Sequence, residues 1–383
     1  MLLFSKARTF PSGKAEDSAR EIPAAEDAAW DELVAASPHG SVFLRSDWLR
    51  MLDETGPAES QILRLGVFDE QGRMRGGWAL PVERQYGARS AHTFDFFYSG
   101  PVLAPDLCEE KGRRGSERQQ VLTRLARAVT ERLDLVVMEA HPEFHDARPF
   151  LYENWIVSPD YTHLWDLSDP DAQLRAMNRE KRAEIRRASS RFRIGREELN
   201  DDALDAFLAL YRIAMSKFSW YPTRGWEKRL RLRARWMAER DGCRYYAVRS
   251  PEGETLAAML VLLSPEDGTC YYWHMGYGPA GRKAEVVPAL YWQTALDIRQ
   301  DRPALTRVNF GGSPLAALSQ FKDYLGAAST EHYRLIYRRP SANLTLLEWR
   351  KHGRDHVRRL LATHPGLHRL YELLRRPVPS ASR

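Results

Sequence analysis

The sequence predicts an α/β protein made of two similar units in tandem, on three observations. Strand-like and helix-like segments alternate, the same order of segments occurs twice, and 383 residues exceed what one core ordinarily holds. In the first pass the turn Ser37-Pro38-His39-Gly40 leads through Val42-Phe43 into a short helix around Trp48, Leu49 and Leu52. Strand-like stretches at Ile62–Phe68 and Gly77–Val82 flank Asp69-Glu70-Gln71-Gly72, whose composition is that of a hairpin turn. An aromatic strand at Thr93–Tyr98 runs into Gly100-Pro101. A helix with apolar positions Val121, Leu122, Leu125 and Val129, then a strand at Leu133–Met138, complete the unit.

The second pass repeats this order. A helix near Leu204–Ile213 precedes the strand Arg244–Val248, the turn Ser250-Pro251-Glu252-Gly253 and the return strand Thr255–Leu263. Cys270–Tyr277 is again an aromatic strand running into Gly-Pro, here Gly278-Pro279. The helix Pro288–Ile298 and the strand Leu305–Phe310 close it. From turn glycine to Gly-Pro glycine the distance is 28 residues in the first unit and 25 in the second, a repeat of pattern rather than identity. The expected units are 26–160 and 161–340, followed by a basic amphipathic helical tail over 341–383. Residues 1–25, polar and without periodicity, read as a mobile leader.

Composition narrows the class. With 43% hydrophobic and 28% charged residues the chain reads as soluble and globular. Its best apolar run, Leu256 to Leu263, falls short of the roughly 18 residues a membrane span needs. The apolar patch in MLLFSKARTFPSGK is too short for a signal peptide, so a cytoplasmic protein is expected. Cys108, Cys243 and Cys270 have neither disulfide-framework nor metal spacing and read as buried thiols. His352 and His356 stand four apart without a third ligand, and no metal site is expected. There is no Gly-Lys-Ser/Thr phosphate loop, no GxSxG, no HExxH and no GxGxxG after a strand, so hydride, kinase and serine-hydrolase chemistry lack a motif.

Charge is divided unevenly. The net +6 combines a balance of −7 over residues 1–160 with +13 over 161–383, which points the second half toward an anionic partner or leaves it merely arginine-rich. The most charged helix is expected from Pro170 to about Phe192, capped by Ser168 or Asp169. Its Leu174, Met177, Ile185, Ala188 and Phe192 suit one buried stripe. Arg175, Arg179, Arg182 and Arg186 line another face, where like charges destabilise a helix unless an anion neutralises them. Anion binding and a solvated face relieved by Glu180 and Glu184 are the two readings. A second basic cluster, Arg224, Lys228, Arg229, Arg231, Arg233 and Arg235, is interleaved with Trp220, Tyr221, Trp226 and Trp236. It suits phosphate contacts with base stacking, or else a core of tryptophans with wet arginines, the reading preferred for Trp226 and Trp236. The tail carries nine Lys/Arg against three Asp/Glu and is expected to pack on the body, with nucleic acid or an anionic membrane as alternatives.

The stretch Thr306 to Gly326 carries the chemistry most directly. A short strand, Val308–Asn309–Phe310, breaks at Gly311–Gly312, where a ligand can approach the backbone; Ser313-Pro314 follows, and the segment ends in Phe321–Lys322. Taken alone this is either a turn with a solvated lysine or a cation placed for developing negative charge.

The order FLRSDWLRML, FYSGPVLAP, HLWDLSDPDAQLRAMNREKRAEIRRA, YYWHMGYGPAGRKAEVVPALYWQTALDI and VNFGGSPLAALSQFKDYLGA resembles the FemAB-like branch of the GNAT acyltransferase superfamily, from about Phe43 to Gly326. That branch includes peptidyl or aminoacyl transferases and acetyltransferases of cell-envelope and polysaccharide biosynthesis. The resemblance implies two tandem GNAT-like domains with mixed sheets flanked by helices, donor and acceptor meeting in the second. It matches Phe321 and Lys322 to the family's Phe-Lys pair near the reacting carbonyl, and Arg182 and Arg186 to its basic helix by position. The family strand usually carries Asp where Asn309 stands here, which bears on amine binding or proton transfer.

Acyl transfer to an amine passes through a tetrahedral oxyanion that Lys322 can stabilise, and His274 or Tyr272 on the preceding strand are the candidate bases. Lys322→Ala is then expected to lower turnover with little loss of stability. Arg182, Arg186, Arg224, Tyr272, Asn309, Gly311, Gly312 and Ser313 are the candidate substrate contacts. The expected donor is aminoacyl-tRNA, because CoA-using members cradle the pyrophosphate with Arg/Gln-x-x-Gly-x-Gly/Ala and residues 278–285 lack that spacing. An acyl-CoA N-acetyltransferase and a non-catalytic basic binding protein are the alternatives. No permanently bound cofactor is expected. The resemblance implies an amine acceptor on an envelope or saccharide precursor, and peripheral contact of the tail at the inner membrane surface is the alternative to its packing on the body.

Overall fold

A computed structural model of the chain describes residues 19–93, 97–108, 113–216, 225–313, 315–340 and 342–344. The expected leader (through residue 18), Trp220, Tyr221, Arg224, His352, His356 and nearly all of the tail lie outside them. The first unit begins with β1 (Arg20–Glu21), α1 (Asp27–Ala36) and α2 (Ser46–Thr55). The hairpin β2 (Ser60–Phe68) and β3 (Met74–Gln85), then β4 (Ala88–His92), β5 (Val102–Leu103) and α3 (Pro105–Cys108) follow. The long α4 (Arg113–Arg132), β6 (Leu135–Glu139) and α5 (Arg148–Tyr152) lead to β7 (Ile156–Asp166). The second unit opens with α6 (Pro170–Ala176), α7 (Arg179–Arg191) and β8 (Arg193–Glu197). After α8 (Asp201–Met215) and α9 (Trp226–Ala238) come the hairpin β9 (Cys243–Arg249) and β10 (Thr255–Ser264) and then β11 (Thr269–Tyr277). The chain continues through α10 (Pro279–Lys283), α11 (Val287–Asp301), β12 (Arg307–Gly312), α12 (Ala316–Tyr324) and β13 (Ala328–Arg338).

All of these strands join one sheet, in the order β1-β2-β3-β4-β6-β13-β7-β12-β11-β10-β9-β8, with β5 on β3. Its two parallel pairs, β4 with β6 and β11 with β12, occupy corresponding places in the two halves. The halves exchange strands at the middle. The last strand, β13, pairs with β6 of the first unit, and β7 pairs with β12 of the second. Each covers an edge the other half would expose, so the seam of the repeat is hydrogen-bonded throughout.

Helices cover both faces because strand residues alternate. A side chain on Gly76 would meet Val121 of α4 and one on the adjacent Gly77 would meet Trp30 of α1, so those helices lie on opposite faces. In the second unit Tyr245, Ala247, Tyr271 and Trp273 pack with α8 and α9. Their neighbours Tyr246, Val248 and Tyr272 pack with α7 and α11. The two hairpins and the helices α2, α4, α8 and α11 stand where the sequence puts them.

Four elements differ from expectation. The described strand of this region is Ala88–His92, ahead of the expected Thr93–Tyr98, of which residues 94–96 lie outside the described ones. Thr93 and Ser99 still donate to the β6 carbonyls of Val137 and Glu139, and the rings of Phe97 and Tyr98 lie 4.9 and 6.1 Å from Tyr271 of the second unit. The helix expected over 170–192 is two helices. Met177 is extended and buried, and a Cβ on Gly326 would come within 3.1 Å of the Ala176–Met177 peptide, so the chain entering β13 crosses at the break. Asn178 restarts the helix by accepting from Glu180 N–H at 2.7 Å. The segment before Phe321–Lys322 is a helix, not a turn. Arg20 and Glu21, expected in the leader, pair with Leu65 and Gly66.

Candidate functional site

Strands β11 and β12 are paired only through Thr269–Tyr271 and Arg307–Asn309. Beyond that the two strands have no ladder between them, and a register shift at Leu260/Val261 turns β11 against β10. Their carboxyl ends therefore diverge, and such a divergence in a mixed α/β sheet is where ligands reach the backbone. Aromatic side chains fill its base. Phe310 stands edge-on to Trp165, Tyr272 and Tyr291 at centroid distances of 4.6, 5.0 and 5.3 Å.

The paired glycines sit at the mouth. Gly311 has φ +71°, and a Cβ there would lie 3.0 Å from Phe97, so conformation and space both demand glycine. Beneath this turn is Lys322. Its Nζ donates to the carbonyls of Phe310, Gly311 and Gly312 at 3.0, 2.7 and 2.8 Å, and the residue is 4% exposed. Three acceptors match the three protons of an ammonium, whereas burial pushes the amine down to about 7. With its donors committed to the backbone, Lys322 braces the glycine turn. Neither the solvated lysine nor the free cation for an oxyanion read from the sequence fits this geometry. Phe321 is half-buried, lies 6.4 Å from Tyr291 and carries the Lys181 ammonium 5.5 Å from its ring.

Other expected residues also turn out to hold structure. Asn309 is buried; its Oδ1 accepts from Thr162 Oγ1 at 2.7 Å and from Gly311 N–H at 2.8 Å, and its Nδ2 donates to Tyr98 Oη at 2.8 Å. It fastens β12 to β7 and to the first unit's loop, and an incoming amine has no access to it. The Tyr272 hydroxyl donates to the Tyr291 carbonyl at 2.6 Å, and burial raises its pKa well above the usual phenol value, which removes it as a base. His274 lies 5.5 and 5.3 Å from the rings of Tyr211 and Trp226, which belong to α8 and α9. The sheet thus separates it from Lys322, and the pairing of these two as base and cation is lost.

Arg182 donates to the carbonyls of Arg175 and Met177 at 2.9 and 2.6 Å, closing the end of α6. Arg175, Arg179 and Arg186 remain exposed, so the basic face is shorter than the expected ladder. Arg224 lies outside the described residues. The structure does bring Gly311, Gly312 and Ser313 together with Phe321 and Lys322 at one end of β12.

One residue missed in the sequence is His163, on β7. Its Nδ1 lies 3.4 Å from Ser313 Oγ and its Nε2 3.3 Å from Ser319 Oγ. It is 150 residues before Ser313, in a strand without a recognisable motif, and no local signal marks it. Glu139, Asp160 and His332 also come within 4.8 Å of one another, but the Arg334 guanidinium is ion-paired to both carboxylates and supplies the positive charge.

Residues 172–323 match the family model described as an acetyltransferase (GNAT) domain. The divergent parallel pair and the glycine turn lie inside that match, so the second unit carries an acetyltransferase (GNAT) domain. The first unit lies outside that match. Similar solved structures agree on the fold. FemX is 12% identical with a TM-score of 0.61, over 82% of this chain and 96% of its own. A tandem GNAT protein from the clavulanic acid biosynthesis pathway is 14% identical with a TM-score of 0.51, over 83% and 96%. The C-terminal domain of a putative lysylphosphatidylglycerol synthetase from Agrobacterium fabrum is 12% identical with a TM-score of 0.51, over 85% and 95%. No protein of curated function matches the sequence. Among the described residues no helix is long and apolar enough to cross a membrane.

Proposed function

We propose that the protein moves an aminoacyl group from aminoacyl-tRNA to an amine acceptor at the Gly311–Gly312 turn. The observation that carries the choice of donor is at the start of α11. A CoA pyrophosphate would need glycine-rich backbone N–H groups there. Instead Glu285 adopts a left-handed φ of +54° at that point, and its carboxylate pairs with Arg187 at 2.7 Å. A carboxylate next to a helix N-terminus competes with a pyrophosphate for the same positive end. The aromatic packing at the base of the β11–β12 gap also favours a donor presented from the surface over an arm lying between the strands.

Exposed Arg175, Arg179 and Arg186 on α6 and α7 suit the phosphates of a tRNA end. The acceptor in this reading is an amine on a cell-envelope or polysaccharide precursor, as the FemAB-like resemblance of the sequence implies; FemX and the putative lysylphosphatidylglycerol synthetase domain support the shared fold. The second reading, an acetyl-CoA N-acetyltransferase, is favoured by the description of the matched family model.

Catalysis in either case rests on positioning at the glycine turn rather than on a mobile cation. The test is transfer of label from a mixture of 14C-aminoacyl-tRNAs, and separately from 14C-acetyl-CoA, to glucosamine and to a lysine dipeptide. Transfer from charged tRNA alone is the expected result. Transfer from acetyl-CoA alone would establish the second reading in its place.

A further inference from the structure

A neutral amine must lose a proton as its acyl bond forms, and neither His274 nor Tyr272 can take it. His163 is 2% exposed and lies against the segment that follows the paired glycines. Besides its contacts with Ser313 and Ser319, its Nε2 is 3.6 Å from Asp323 Oδ1. Asp323 and Lys322, both from α12, are the charged groups that act on the ring. Ser313 is half-buried beside the exposed Gly312, so its hydroxyl can meet an acceptor that the imidazole itself cannot.

We propose that Ser313 and His163 form a proton relay for the acceptor amine, with Asp323 orienting the imidazole. This rests on the acyl-transfer reading given above. The amine nitrogen bonds to the donor's carbonyl carbon and gives a proton to Ser313 Oγ, while the Ser313 hydroxyl proton passes to His163 Nδ1. When the tetrahedral species collapses, the carbon–oxygen bond to the donor breaks. The leaving ester oxygen takes the proton back from His163 through Ser313. An ester and an amine become an amide and an alcohol, and both side chains return to their starting state. Ser313 is the catalytic residue of the pair, and His163 is a positioning residue that acts through it.

The surroundings select the tautomer this requires. With the proton on Nε2 the ring donates toward Asp323 and Ser319 and turns the Nδ1 lone pair to Ser313. The opposite tautomer sets a lone pair against a carboxylate 3.6 Å away. Burial, and next the Lys322 charge, lower the pKa of the ring, so it is neutral before reaction. The Gly311 backbone and Asp323 both act on the ring in the sense that favours its protonated form, which helps hold the transient imidazolium.

Two measurements test the relay. In the free, full-length protein, 15N NMR of the imidazoles, with His163 assigned through His163→Asn, should report the Nε2–H tautomer; an Nδ1–H ring overturns the relay. In the transfer assay with charged tRNA and the lysine dipeptide, His163→Asn should lower kcat/KM by roughly 10²-fold and remove its acid-side pH dependence. Ser313→Ala should match it, and the double variant should lose little more, as residues acting as one unit do. A wild-type pH profile in folded His163→Asn, or losses that multiply in the double variant, would overturn the relay while leaving acyl transfer intact. No transfer by wild type from either donor would overturn the acyl-transfer reading and the relay together.

Discussion

Replacing Lys322 by Met keeps an unbranched side chain, one atom shorter, and removes its three donors. The outcome depends on two opposed effects. Burial that lowers the amine to about 7 works against the charged lysine by roughly 4–5 kcal/mol relative to an unfolded value near 10.4. Against this stand three charge-assisted hydrogen bonds, each worth about 1.5–3 kcal/mol, to the carbonyls of Phe310, Gly311 and Gly312. Water can reach the Gly312 end of the turn after the substitution but not buried Phe310, whose carbonyl is left unpaired. For the ammonium itself burial offsets these bonds, the unpaired Phe310 carbonyl decides the outcome, and the expected net loss is about 2 kcal/mol, a fall in melting temperature of roughly 2–3 °C for a chain of this length. Thermal unfolding followed by near-UV circular dichroism measures it, alongside transfer from charged tRNA. Turnover should fall together with stability, because the glycine turn loses its brace. If Lys322→Met melted within about 1 °C of wild type yet lost all activity, the lysine would be a catalytic cation after all, and the bracing role would be refuted.

Three further outcomes follow from the same geometry. Because the folded pKa of Lys322 lies below its unfolded value, the unfolded chain binds more protons between about 7 and about 10.4, so this group's contribution to stability rises with pH there. Melting curves at pH 7 and pH 9 should show wild type gaining on Lys322→Met; a constant difference contradicts it. Asn309→Asp, which restores the family's residue, should destabilise the protein by about 2–3 kcal/mol without raising turnover, since Oδ1 and Nδ2 are both bonded and the added charge is buried. Denaturant titration and the transfer assay read both effects, and a more active, equally stable variant would show that the site wants a carboxylate. Reversing charge at Arg179→Glu and Arg186→Glu should weaken binding of charged tRNA by at least tenfold and flatten its salt dependence, with the melting temperature unchanged. Unaltered affinity in a filter-binding titration would take α7 out of the donor surface.

Local chemistry made the repeat legible. Hairpin turns, aromatic strands running into Gly-Pro, and amphipathic helices depend on neighbours a few residues away, so β2–β3, β9–β10, β11, α11 and the Gly311–Gly312 turn could be read directly from the chain. So could the demand for glycine at position 311, although the ring that enforces it, Phe97, comes from the other unit. What depends on residues far apart could not be read. β7 and β13 exchange places between the halves, and only that exchange brings His163 to within 3.4 Å of Ser313, 150 residues away. The break between α6 and α7 is set by the chain at Gly326, and the fate of Arg182 by the carbonyls that the break exposes. Lys322 and Asn309 show the limit most clearly. Their sequence neighbours mark a site, but whether a cation faces solvent or three carbonyls, and whether an amide is free or bonded at both ends, is decided by tertiary packing, because burial and hydrogen-bond partners fix what a side chain can still do.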